Sequence, residues 1–112
     1  MAKKVFITKF NYSIPTAELK KIMPAVAPEF SAIPGCYWKI WLINEDCKEA
    51  GGVYLFESAT ELEQFLNSKL FASVANNPAF RNFETHTFGI EEEASVLTAA
   101  QQILSMSAKT KG

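Results

Sequence analysis

Apolar and polar positions alternate through residues 4–11, with Phe6, Thr8 and Phe10 on one side and Val5, Ile7 and Lys9 on the other, the period of a β-strand. The period then lengthens. After turn and helix-start signals at Ser13-Ile14-Pro15-Thr16, residues Leu19, Ile22, Met23, Val26 and Phe30 recur on one helical stripe. Pro24 and Pro28 each remove a backbone donor, so a kink or restart is expected near Pro24. Ile33-Pro34-Gly35 closes the helix, and residues 37–43, dense in aromatic and β-branched side chains, form a second strand. The polar residues 44–49 read as a hairpin loop leading into an antiparallel third strand over 51–56. Ser58-Ala59-Thr60-Glu61 has the form of a capping box and opens a second helix whose apolar positions are Leu62, Phe65, Leu66 and Leu70. Asn76-Asn77-Pro78 stops it. A fourth strand follows over 80–90, then a short helical tail from about Glu92, with residues 105–112 expected to be loosely ordered.

The order β-α-β-β-α-β predicts an α+β, ferredoxin-like domain over residues 1–104, with two helices on one face of a four-stranded antiparallel sheet. The second face is then left open. If the hairpin pairs Ile43 with Ala50, Trp41 lies opposite Gly52, Lys39 opposite Tyr54 and Tyr37 opposite Phe56, all on one face. The other face carries Cys36, Trp38, Ile40 and Leu42 with Gly51, Val53 and Leu55, an aliphatic set suited to packing under helices. On that assignment the aromatic face is the open one and needs a cover. A second copy of the sheet supplies it, giving a homodimer whose facing aromatics either interdigitate fully or leave a ligand space beside Gly52.

Charge narrows the partners. Eleven basic and twelve acidic residues give a net charge of −1, which supplies no field to draw nucleic acid or an anionic membrane. The N-terminal Met1-Ala2-Lys3-Lys4 runs into the first strand with neither a signal-peptide core nor a membrane span, and a cytoplasmic location is expected. Cys36 and Cys47 are separated by a strand's length, roughly 20 Å or more, so thiols are expected and not a disulfide. One histidine and two separated cysteines offer no metal-ligand spacing, and no Gly-rich loop precedes a helix. Glu91-Glu92-Glu93 reads as the acidic start of a helix, favoured by the macrodipole.

Pro34-Gly35-Cys36-Tyr37-Trp38-Lys39-Ile40-Trp41, followed by Glu49-Ala50-Gly51-Gly52-Val53-Tyr54-Leu55-Phe56, resembles the YdhR-type monooxygenases, whose pattern there is PG, two variable residues, WK, an aliphatic and W, then EAGG, an aliphatic and YLF. Pro24 and the stretch from Leu62 to Leu66 share the resemblance. It implies a homodimeric α/β barrel related to the antibiotic-biosynthesis monooxygenases, which oxidise polycyclic phenols without metal, haem or flavin. It also implies that an aromatic residue ending the third strand, here Phe56, lines the pocket. The wider superfamily includes isomerases and decarboxylases, so function follows the fold only loosely.

Oxygenation without a cofactor requires a base that converts a phenol or enol into an electron-rich anion in a dry pocket. Lys39 and His86 are the candidate catalytic residues. Enclosed by aromatic rings, Lys39 would lose affinity for its proton or would stabilise an oxyanion as a cation; otherwise it snorkels to the rim. His86, the only histidine, titrates in the useful range or is a surface residue of the fourth strand. Tyr37, Trp41, Tyr54 and Phe56 are the candidate substrate-binding residues, and ordinary interface packing is the alternative for them. The expected ligand is a small aromatic or quinone-like molecule, with no cofactor, held in a pocket between the helices and the sheet or between the two sheets of the dimer. A non-catalytic binding protein and an isomerase or decarboxylase are the competing readings.

Overall fold

The computed structural model describes residues 2–104. Strands β1 (Lys4–Tyr12), β2 (Cys36–Asn44), β3 (Glu49–Phe56) and β4 (Phe80–Gly89) form one antiparallel sheet in the order β2-β3-β1-β4. Helix α1 (Thr16–Ser31) links β1 to β2, and α2 (Ala59–Leu66) with α3 (Lys69–Ala75) links β3 to β4. Two short helices, α4 (Glu92–Leu97) and α5 (Gln101–Leu104), follow β4. The ferredoxin-like α+β arrangement is therefore as the hydrophobic pattern predicts. The expected loose tail at 105–112 lies outside the described residues.

Local differences have local causes. Helix α1 runs unbroken through Pro24 and Pro28 because both prolines sit on its exposed side, while buried Leu19 and Phe30 hold its other side on the sheet. The expected second helix is two, divided at Asn67-Ser68. There the Ser68 hydroxyl donates to the Phe65 carbonyl (2.6 Å) and accepts from the Phe71 amide (3.1 Å), closing one helix and opening the next. At the start of α2, Ser58 Oγ accepts from the Thr60 amide (3.2 Å) and hydrogen-bonds to the Glu61 carboxylate, a variant of the expected capping box. The acidic start of α4 is a cap: the Glu91 carboxylate accepts from the Ala94 amide at 2.9 Å.

The hairpin register holds as expected, with Ile43 opposite Ala50, Trp41 opposite Gly52 and Lys39 opposite Tyr54. It breaks at a bulge between Cys36 and Trp38, so that Cys36 and not Tyr37 stands opposite Phe56. The expectation that fails is which face meets the helices. Tyr54 and Phe56 pack with Phe6 of β1, Phe30 of α1 and Leu62 and Phe65 of α2 in the main core. The aromatic face is thus the inner one. The aliphatic face, with Ile40, Leu42 and Phe88 exposed and Ile7 and Val53 half-buried, is the one α1, α2 and α3 leave open, although Leu55 on it is buried and Trp38 Nε1 donates to the Ile103 carbonyl of α5 (3.2 Å). The reason lies in the helices, whose inward side chains include aromatic rings that meet those of the sheet in tilted and edge-to-face contacts at centroid distances of 5.0–6.4 Å.

Both glycines of the third strand are dictated by neighbours. A Cβ on Gly51 would stand 1.9 Å from the Thr8 carbonyl oxygen, so any side chain there would push β1 away from β3. A Cβ on Gly52 would stand 2.7 Å from Cε of Lys39, so Gly52 is the groove in which the lysine stem lies.

Candidate functional site

Between α1, α3 and the inner sheet face lies a cavity of about 470 Å³. Leu19, Met23, Val26 and Phe30 of α1 form one wall, Leu70 and Val74 of α3 another, and Thr8, Phe10, Lys39, Trp41 and Tyr54 the floor. Its size falls in the usual range for a small-molecule site, and its walls are apolar with few polar groups, the usual make-up of such sites.

Lys39 is the group with chemical potential. Its Nζ lies 3.6 Å from the Phe30 ring centroid, 3.5 Å from that of Trp41 and 4.8 Å from that of Tyr54. No carboxylate forms an ion pair with it among the described residues. Removal from water disfavours the charged form, and burial lowers the ammonium from 10.5 to about 7, opposed weakly by Cys36. The lysine is therefore divided between amine and ammonium near neutrality. Tyr54, directly across the strand pair, is shifted in a way that keeps it protonated: burial raises its phenol well above the ordinary range, with Cys36 adding to the rise and Thr8 opposing it. The floor thus presents a base in Lys39 and hydrogen-bond donors in Tyr54 and Thr8.

Of the six residues singled out from the sequence, the cavity brings together Lys39, Trp41 and Tyr54. Phe56 is fully buried behind Tyr54, ring centroids 6.0 Å apart, in the core beneath α2. Tyr37 is buried at the bulge, with Lys3 Nζ 5.3 Å from its ring centroid, and does not line the cavity. His86 is exposed on the opposite face, because β4 sets it against Ile7 of β1; its Nε2 lies 3.7 Å from Glu84. The two candidate bases are separated by the sheet. Sequence reasoning missed the α1 and α3 walls, although the stripe Leu19, Met23, Val26 and Phe30 was visible. What was missing was the knowledge that it covers aromatics incompletely.

The fold and this enclosed lysine-aromatic cavity define the class of protein. A family model described as "Putative mono-oxygenase ydhR" matches residues 5–101, and the chain belongs to that family. No match was found among curated proteins. Solved structures share the fold at low identity. A cofactor-independent oxygenase, SnoaB from Streptomyces nogalater, superposes with a TM-score of 0.66 at 17% identity, over 82% of this chain and 96% of its own. Rv0793 from Mycobacterium tuberculosis gives 0.67 at 17%, over 84% and 100%. A dimeric ferredoxin-like protein of unknown function from Thermobifida fusca gives 0.65 at 10%, over 80% and 92%. No helix among the described residues is long and apolar enough to cross a membrane.

Proposed function

We propose that the protein is a cofactor-independent monooxygenase that oxidises a small phenolic or quinone-forming aromatic compound in the Lys39 cavity. The observation that carries this reading is a lysine held near neutral pKa among three aromatic rings, with no carboxylate paired to it among the described residues. The amine of Lys39 takes the phenolic proton, and the resulting ammonium stays beside the oxyanion, which it stabilises in surroundings of low dielectric. Trp41 and Phe30 offer faces for stacking, and Tyr54 donates a hydrogen bond to orient the substrate oxygen. The anion passes one electron to dioxygen; the radical pair closes a C–O bond to a peroxide, which loses water to leave a carbonyl. One substrate C–H and the phenolic O–H are lost, one oxygen atom enters the product and the other leaves as water. Family membership and the fold shared with SnoaB, a cofactor-independent oxygenase, support the reading.

The working unit in this proposal is a homodimer joined through the outer sheet face. Ile40 and Phe88, 49% and 54% exposed, lie there with Ile7, Leu42 and Val53, and covering them removes apolar area from water at about 25 cal/mol per Å². The dimeric relative from Thermobifida fusca shares the sheet that would do this.

Oxygen uptake on adding a dihydroxynaphthalene, before and after chelation and dialysis, tests the reaction. Uptake should persist in stripped protein, fall at least tenfold in Lys39→Met, and decline as pH drops through about 7, where the amine becomes protonated. Activity restored only by added metal or flavin would refute it, and tight binding without uptake would favour a binding protein.

A further inference from the structure

An uncharged primary amine in an apolar cavity is a nucleophile as well as a base. We infer that Lys39 also captures aldehydes and ketones of aromatic compounds as imines, so that the cavity is a carbonyl-reactive site. The inference rests on the cavity being the ligand site, and it requires neither oxygen nor turnover.

The geometry favours each step. Nζ stands over Phe30 and Trp41 at 3.6 and 3.5 Å, so an arylaldehyde stacked among those rings brings its carbonyl carbon to the nitrogen. The nitrogen lone pair forms a C–N bond while the carbonyl π pair moves to oxygen, and the amine proton passes to that oxygen through Tyr54 or Thr8, both of which line the cavity. The carbinolamine then loses its hydroxyl with the second amine proton as water, and the C=N bond forms. One amine and one carbonyl give one imine and one water. When the imine takes a proton from solvent, the cation is held by the same rings that surround the ammonium, with no carboxylate among the described residues within ion-pair distance to compete.

Other charged and titratable groups around the cavity are few. Glu18 and Glu29 of α1 lie at its exposed edge, Tyr54 on β3 stays protonated, and Cys36 of β2, the strand that carries Lys39, is the group that acts on the ammonium, raising it against the larger effect of burial. Lys9 of β1, by contrast, is raised by its ion pair with Glu49 and keeps its proton at neutral pH. That contrast makes the site selective at a pH where surface lysines react slowly.

The test uses the intact folded protein under nitrogen at pH 7, with 2-naphthaldehyde as probe and sodium cyanoborohydride to reduce the imine to a stable secondary amine. Peptide mapping should find the adduct on Lys39 formed at least tenfold faster than on any other lysine. 2-Naphthol should slow it, and unfolding in urea should abolish the preference. Adducts spread over surface lysines, or confined to the N-terminal amine with Lys39 unmodified, would overturn the inference. Trapping at Lys39 without oxygen uptake would sustain the imine chemistry and reject the oxygenase, whereas Lys39-dependent uptake without trapping would do the reverse.

Discussion

Replacing Lys39 by methionine should make the protein more stable at neutral pH, even though it removes the candidate catalytic group. Below pH 7 the native state must carry an ammonium in a site that disfavours it, while the unfolded chain carries the same ammonium in water. A drop from 10.5 to about 7, at about 1.4 kcal/mol per pH unit, corresponds to a cost on the order of 4–5 kcal/mol as an upper limit. Exchanging the lysine stem for methionine in the Gly52 groove costs up to about 1.5 kcal/mol in packing at every pH, leaving a net gain on the order of 3 kcal/mol below pH 7. The sign with pH is definite. Between about 7 and 10.5 the unfolded state binds the proton that the native state has lost, so this lysine's penalty shrinks as pH rises and vanishes above 10.5. Urea unfolding of both proteins at pH 6.5, 8 and 9.5 isolates the effect, since all other titrations are common to the pair. The variant's advantage should be largest at 6.5 and nearly gone at 9.5. A gap independent of pH, or a variant less stable throughout, would refute the picture of a desolvated lysine.

Gly52→Ala should leave the fold within about 1 kcal/mol, because the atom in its way is the movable end of a side chain. It should still push Lys39 out of its groove, moving the low-pH limb of activity upward and lowering turnover about tenfold; an unchanged pH profile would dissociate Gly52 from the lysine. Ile40→Asp, on the outer face, should convert a dimer to monomers by light scattering while far-ultraviolet circular dichroism stays native; a dimer of unchanged affinity would place the interface elsewhere.

Much of the fold was legible because its signals are local. Alternation in β1, the capping serine at position 58 and the polar hairpin at 44–49 fixed elements and even the register of Lys39 against Tyr54. The face meeting the helices was not legible, since alternation sorts residues into two sets without saying which set is inside. Aliphatic residues seemed the better core on general grounds, but the inward side chains of α1 and α2 include Phe30 and Phe65, and these pack on the aromatic set. For the same reason Lys39, Trp41 and Tyr54 could be grouped from sequence while the pocket was left open between two places, under the helices or between two sheets. His86 could not be excluded from that group, because only the β1–β4 pairing shows that it shares a face with Ile7. The bulge at Cys36–Trp38, which shifts Tyr37 out of line, leaves no mark in a pattern of period two.

The prolines of α1 have a consequence for the cavity wall. Having no N–H, Pro24 and Pro28 deny the carbonyls of Lys20 and Pro24 their usual partners four residues on, so the helix that walls the cavity lacks two of its longitudinal struts. The sheet floor, by contrast, keeps its ladder hydrogen bonds, with β3 and β1 paired on both sides and β2, which carries Lys39, paired along β3. The wall of the cavity that faces Lys39 is therefore the helix with fewer backbone hydrogen bonds than an uninterrupted helix of its length.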